Sequence, residues 1–306
     1  ATPYGGFNRN FKILFSNGDF CGMLTLYIKY KEERRIPMQL YTHTLPSGAK
    51  LTGYLRDETN EMPAFNIRPA MLILPGGGYA FCSAREADPI AMQFLQAGYQ
   101  TFVLEYTCAH TPEQAPLRWQ PLIDAAGAIL HLRRNAAKLR LDPFKIAVCG
   151  FSAGGHLAAS TAILWDAAPV QKALGITAEE ARPDAVVLGY PVITSGIKTH
   201  GGSIANLAGD DTALQAIFSL ENQVRGDLPP FFIWHTVADQ AVPVENSLLL
   251  ASALTENHVP YELHLFTHGG HGSSTCTQEV NTPNRHNAAW VSLCTDWLAE
   301  TLHFHL

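Results

Sequence analysis

The pattern of apolar and polar positions changes about sixty residues into the chain. Residues 38–43 and 50–56 alternate between the two kinds of side chain, and turn-forming residues at 45–48 separate them, which predicts an antiparallel hairpin. Short and almost wholly apolar runs follow, as is typical of parallel strands covered on both faces. These runs are 70–74, 101–106, 145–149, 185–188, 231–234 and 262–266.

Helical periodicity fills the gaps between these runs, at 86–97, 122–139, 244–257 and 288–302. Strands that alternate with helices predict an α/β fold whose mostly parallel sheet has helices on both faces. We expect one domain over residues 1–306, with an N-terminal extension at 1–35 to which no role is assigned. The Gly-rich segment 192–228 breaks the alternation, and we interpret it as a lid or cap above the carboxyl ends of the strands.

Composition narrows the classes of function. Apolar residues make up 47% of the chain and charged residues 16%, which is typical of a globular enzyme. The net charge of −6 and the scattered basic residues argue against nucleic-acid binding. No run approaches the ~18 apolar residues of a membrane span, so no membrane partner is expected. A homo-oligomer stays open.

Six cysteines without a CxxC pair favour a reducing, cytoplasmic compartment. Because their number is even, they could also form disulfides, and a secreted protein is therefore the alternative. The chain begins at Ala1 without a signal-peptide pattern, which also leaves a processed start open.

The candidate nucleophile is Ser152, at the centre of Gly150-Phe151-Ser152-Ala153-Gly154. The bare G-x-S-x-G pattern is only moderately specific, but an apolar strand leads into it and a helical stretch follows directly. This strand–turn–helix setting is that of the nucleophile elbow in the α/β-hydrolase fold. The alternative is a structural turn that contains an incidental serine.

A serine hydroxyl needs a base, and in this fold the acid and then the histidine follow the serine along the chain. Asp239 lies just beyond the run 231–234, and His271 lies five residues beyond the run that ends at Phe266. His268 is the rival base. Asp210 and Asp211 are rival acids whose place in the irregular segment favours turn or capping roles, and Glu245 suits a helix start.

Other readings of the histidines carry less weight. His235 and His264 lie in or beside apolar strands and are interpreted as structural. The His268-x-x-His271 pair is also compatible with a metal site. No HExxH motif and no nearby cluster of ligands completes such a site, so no metal or other cofactor is expected.

Backbone amides that could stabilise an oxyanion are predicted in Pro75-Gly76-Gly77-Gly78-Tyr79, directly after the run 70–74. Gly77 and Gly78 are the candidate donors, together with Ala153 after the nucleophile. A dinucleotide-binding loop is the alternative, but Phe81 occupies the position of the last glycine in G-x-G-x-x-G. Arg85 and Glu86 follow this loop and are expected to contact the substrate or to anchor the loop through an ion pair.

Four segments taken together resemble bacterial esterases and lipases that include acetylxylan esterase-like and feruloyl esterase-like carbohydrate esterases. The segments are Leu74–Tyr79, Gly150–His156, Asp239–Pro243 and Gly270–Gly272. The resemblance covers roughly residues 38–271. It implies an α/β-hydrolase fold, a triad of Ser152, Asp239 and His271, and removal of acetyl or similar acyl groups from sugars.

These features together predict a serine carboxylester hydrolase that acts on a small-molecule or oligosaccharide ester without a cofactor. A peptidase or amidase with the same triad, or a catalytically silent binding protein of this fold, are the alternatives. Short acyl chains are expected because Tyr79 and Phe81 lie near the site in sequence.

Overall fold

The hairpin and the sheet predicted from the apolar runs are both present in the computed structural model, which describes residues 38–176 and 179–306. The extension expected at 1–35 lies outside these residues. Among the described residues the strands are β1 (Met38–Thr44), β2 (Lys50–Arg56), β3 (Arg68–Leu74), β4 (Gln100–Glu105), β5 (Leu141–Phe151), β6 (Ala185–Gly189), β7 (Phe231–Thr236) and β8 (Tyr261–Phe266).

Helices connect most of these strands. They are α1 (Asp88–Gln96), α2 (Gln120–Arg134), α3 (Ala136–Leu139), α4 (Ala153–Ile163), α5 (Ala168–Leu174), α6 (Gly201–Ala208), α7 (Thr212–Ile217), α8 (Glu245–Glu256) and α9 (Trp290–Leu302). No helix in the described part of the chain is long and apolar enough to cross a bilayer.

The strands form one sheet in the order β1-β2-β4-β3-β5-β6-β7-β8. The pairs β1–β2 and β2–β4 are antiparallel, and every other neighbouring pair is parallel. The carboxyl ends of β3, β5, β7 and β8 therefore lie along one edge of the sheet, where the predicted site residues follow them in the chain.

Side chains alternate between two apolar layers along each central strand. In β3, Leu72 and Leu74 point to the layer that contains α2, α4 and α8, whereas Met71 and Ile73 point to the layer that contains α1 and α9. Successive side chains of a strand leave opposite faces, so a central strand with helices on both sides must be apolar throughout. This explains why the strands were visible as continuous apolar runs.

Two elements differ from the sequence prediction by more than two residues. The helix predicted at 122–139 is divided at Asn135, whose side chain donates to the carbonyl of His131 at 2.8 Å and competes with helical hydrogen bonding. The strand predicted at 145–149 extends from Leu141 to Phe151, because Leu141 pairs with Arg68 at the start of β3.

The described cysteines are all free thiols, at positions 82, 108, 149, 276 and 294.

Candidate active site

Ser152 lies in the sharp turn between β5 and α4, with φ 54° and ψ −120°. A positive φ is unfavourable for a residue with a Cβ, and it persists only where the surroundings enforce it. Here the Ser152 amide donates to the carbonyl of Gly189 at 3.0 Å, and its carbonyl accepts from the amide of Val192 at 3.1 Å. The backbone of the turn is thus fixed from the neighbouring strand β6.

The glycines of the motif are required by close backbone contacts. A Cβ on Gly150 would lie 2.1 Å from the carbonyl oxygen of Gly154, and a Cβ on Gly154 would lie 2.1 Å from that of Leu74. Real Cβ atoms do not approach backbone this closely. The motif therefore reflects how tightly α4 returns over β5 and β3.

The structure brings the three predicted triad residues together. His271 Nε2 lies 2.8 Å from Ser152 Oγ, and His271 Nδ1 lies 2.7 Å from Asp239 Oδ2. An ionised carboxylate only accepts hydrogen bonds, so Nδ1 carries the proton and Nε2 accepts from the serine hydroxyl. A continuous path of hydrogen bonds runs from hydroxyl to carboxylate.

Asp239 is buried and strongly held. Its Oδ1 accepts from the amides of Ala241 and Val242 at 2.9 and 3.0 Å, and Nε2 of His235 lies 3.3 Å from Oδ2. Burial by itself raises the pKa of Asp239, but hydrogen bonds from His235, His271 and the backbone outweigh it and hold the pKa well below its ordinary value. The carboxylate therefore stays ionised.

His235, for which the sequence predicts a structural role, lies next to Asp239 of the triad. Its Nδ1 accepts from Ser247 Oγ at 2.8 Å, so its Nε2 donates, to the carbonyl of Val242 at 3.0 Å and towards Asp239. Its place inside an apolar strand concealed this contact, because β7 and the loop after it meet only in the folded chain.

The rival residues have other environments. His268 is exposed, as is Asp210. Asp211 caps α7 by accepting from the amide of Leu214, and Glu245 forms an ion pair with Lys198 at 2.6 Å. Within residues 38–176 and 179–306, no group of three or more His, Cys, Asp or Glu side chains is arranged to hold a metal ion.

The glycine loop, residues 75–82, packs against the serine turn. A Cβ on Gly76 would lie 3.0 Å from that of Ser152, and Gly77 and Gly78 have φ values of 130° and 65° that favour glycine. The amides of Gly77, Gly78 and Ala153 donate to no acceptor in the described part of the chain. Three free donors thus belong to the two segments that meet beside Ser152.

The buried side chain of Glu86 anchors the glycine loop. It is 3% exposed, and its carboxylate accepts from the Gly76 amide at 2.8 Å and from the Tyr190 hydroxyl at 2.7 Å. Tyr190 in turn accepts from the amide of Ser274 and has its ring edge-on to His271. Burial raises the pKa of Glu86, and these hydrogen bonds oppose the rise. The two groups that donate to Glu86 are therefore uncharged. Arg85, which was expected to form an ion pair at this loop, is exposed.

Tyr79 does not narrow the site as the sequence had suggested. It is buried, and its hydroxyl lies 2.8 Å from Nδ1 of His156, whose Nε2 donates to the carbonyl of Phe218 at 2.9 Å. Phe81 is 55% exposed, and with residues of β2 and β4 it lines a groove of about 810 Å³. Its ring also lies beside Gly77, where an added Cβ would be 3.1 Å from Phe81 Cδ2. The expected limit on acyl length therefore rests on Phe81 alone and stays a prediction.

The segment 192–228 contains α6 and α7 and reaches the glycine loop. Asn206 of α6 donates to the Gly78 carbonyl at 2.9 Å, and Phe218 after α7 accepts from His156. These contacts place the segment beside the site, and its role as a lid stays a prediction.

The sequence model of the BD-FAE family matches residues 61–254 of this chain. Among known proteins, the endo-1,4-β-xylanase B of Butyrivibrio fibrisolvens is 42% identical over 215 residues, which are 69% of this chain and 33% of that protein. The acetylxylan esterase of Xylanibacter ruminicola is 29% identical over 66% of this chain and 40% of its own length. The chain thus corresponds to less than half the length of these relatives.

Solved structures extend the similarity to three dimensions. The acetyl ester–xyloside bifunctional hydrolase of Caldicellulosiruptor lactoaceticus superimposes with a TM-score of 0.70 and 35% identity. The superposition covers 86% of this chain and 91% of that one.

Proposed function

The chain belongs to the BD-FAE family of α/β-hydrolases, and on that premise we propose that it is a serine carboxylester hydrolase acting through an acyl-enzyme. The observation that carries this proposal is the hydrogen-bonded path from Ser152 through His271 to Asp239, next to three amides without an acceptor. The names of two relatives, an acetylxylan esterase and an acetyl ester–xyloside hydrolase, favour acetyl or other short acyl groups on carbohydrates.

In the acylation step, His271 Nε2 takes the proton of Ser152 as Oγ bonds to the ester carbonyl carbon. Negative charge develops on the carbonyl oxygen, which is held by the amides of Gly77, Gly78 and Ala153. The bond to the alcohol oxygen then breaks, and Nε2 returns its proton to that oxygen. Asp239 fixes the imidazole and stabilises its positive charge.

In the deacylation step, a water molecule gives a proton to His271 Nε2 and bonds to the acyl carbon. The same three amides hold the second oxyanion. The bond to Ser152 Oγ breaks, the proton returns to Oγ, and the free acid leaves. No step requires a metal or an organic cofactor.

Ser152→Ala tests the proposal directly. We expect hydrolysis of a 4-nitrophenyl acetate reporter to fall by at least ~10³-fold, since a triad acts as a unit. A fluorophosphonate probe should label the wild-type protein at Ser152 and leave the variant unlabelled, with unchanged circular dichroism as the check on folding.

The same experiment separates the rival functions. Turnover of matched anilides without turnover of esters would make the protein an amidase or peptidase. A folded wild-type protein that neither hydrolyses esters nor reacts with the fluorophosphonate would instead be a binding protein of this fold.

A further inference from the structure

His200 immediately precedes α6 in the segment 192–228, and its imidazole is held in one orientation. The amide of Ser203 donates to Nδ1 at 3.3 Å, and the Ser203 hydroxyl lies 2.8 Å from the same atom. Ser203 is fully buried, so this end of the ring is fixed to the interior. The Ser203 amide also donates to the carbonyl of His200 at 3.0 Å, so the ring nitrogen and the carbonyl share this donor at the start of α6.

The hydrogen bonding at Nδ1 fixes the proton on the other nitrogen. A nitrogen that accepts from a backbone amide carries no proton of its own, so a neutral His200 has its proton on Nε2. No acceptor among the described residues takes this proton. His200 therefore presents a free N–H donor.

This donor lies beside the proposed reaction centre. A Cβ on Gly78 would be 4.0 Å from Cε1 of His200 and 3.9 Å from Ser203 Oγ, with no other atom within 4 Å. The space next to Gly78 is thus bounded by His200 and Ser203 and is otherwise open.

The charge state suits a donor rather than a base. Burial lowers the pKa of His200, and positive charge on His271 lowers it further, while Asp239 opposes this. When His271 becomes protonated during the reaction, His200 is held neutral and keeps its single donor.

We propose that Nε2–H of His200 donates a hydrogen bond to an oxygen of the alcohol part of the substrate, and so favours esters of polyols such as sugars. The inference rests on the proposed esterase function and names its substrate side. In the oxyanion the former carbonyl oxygen is held by the three amides, and the ester oxygen receives the proton from His271. An acetyl group has no other oxygen, so the acceptor for His200 must belong to the alcohol.

His200→Asn separates this role from helix capping. Asparagine is a good capping residue and preserves an acceptor for the amide of Ser203, but its side chain is too short to place a donor where Nε2–H lies. We expect kcat/KM on a monoacetylated methyl xyloside to fall about tenfold, mainly through KM, which is the scale of one hydrogen bond. On 4-nitrophenyl acetate, which has no hydroxyl, kcat/KM should stay within about twofold.

Product inhibition supplies a second measurement. Methyl xyloside should inhibit aryl acetate hydrolysis by the wild-type protein, and about tenfold more weakly in His200→Asn. The matched control is His264→Asn, at a partly exposed histidine in β8, and it should leave kcat/KM unchanged on both substrates.

If His200→Asn lowered kcat/KM equally on both substrates, or on neither, the proposed role of His200 would be overturned, while the proposed esterase function would stand. Absence of ester hydrolysis by the wild-type protein would instead overturn the proposed function itself.

Discussion

The carboxylate of Glu86 accepts a hydrogen bond from the amide of Gly76 at 2.8 Å, directly before the two glycines proposed to hold the oxyanion. Glu86 also accepts from Tyr190, whose ring contacts His271. One buried side chain is thus connected to the glycine loop and to the environment of the base. We therefore expect the position of the free amides to depend on this anchor, which lies outside the triad.

Glu86→Gln should lower kcat on aryl acetates by on the order of tenfold or more with little change in KM. Glutamine replaces one of the two accepting oxygens by an NH2 donor, so the Gly76 amide and the Tyr190 hydroxyl can no longer both donate to this side chain in their present positions, and we expect the loop to shift. Steady-state kinetics with a thermal melt would measure both effects. Glu105→Gln, at an exposed carboxylate, is the control, and an unchanged kcat in Glu86→Gln would contradict the anchoring role.

His235→Phe should lower kcat by about tenfold, because Asp239 loses the donor behind it and holds His271 less firmly. Asp239→Asn should be far more severe, on the order of 10³-fold or more, because it removes the charge itself. Rates on one ester for the two variants would rank these contributions. If His235→Phe matched the wild-type rate in a folded protein, the contact at 3.3 Å would have no part in catalysis.

The stability of the protein should fall in acid partly through His156. Burial lowers the pKa of His156 to about 4 from 6.5, so between these values the unfolded chain binds more protons and the free energy of unfolding falls as the pH falls. The slope from one such group is at most about 1.4 kcal/mol per pH unit.

The variant His156→Gln isolates this effect, because glutamine does not titrate. In urea unfolding, the wild-type protein should have the higher free energy of unfolding at pH 7, and the difference between the two proteins should become smaller towards about pH 4.5. His131, whose pKa is lowered to about 4 as well, is common to both proteins and cancels in the comparison. A gap independent of pH would mean that His156 is not the titrating group.

Gly154→Ala should destabilise the fold by about 3 kcal/mol or more, since its Cβ would meet the backbone oxygens of Leu74 and Pro75. Gly127→Ala is the matched control within α2, where the added Cβ would lie 3.4 Å from Leu174 and ordinary helix propensity applies. It should be neutral or stabilising by up to ~1 kcal/mol. Chemical denaturation of both variants measures the difference, and equal effects would argue against the close backbone contact.

Much of the fold could be predicted from the chain because local patterns and the burial of the sheet agree. The hairpin, the parallel strands and most helices appeared as periodicity. Their boundaries moved by more than two residues only at Leu141, through a long-range pairing, and at Asn135, through a competing side chain. The candidate site was predictable to the extent that its residues follow strand ends, which the chain order exposes.

The sequence by itself determined that Ser152, Asp239 and His271 would occur in that order at the carboxyl ends of strands, because short-range motifs and apolar runs carry this information. Only the tertiary structure decided between His271 and His268 as neighbour of Ser152, and showed Glu86, His235 and His200 around them. Some of these contacts are long-range, such as His271 with Ser152 and Tyr190 with Glu86, whereas His235 and Asp239 are only four residues apart. Their formation depends on how loops pack across the sheet edge, and no local pattern records that geometry.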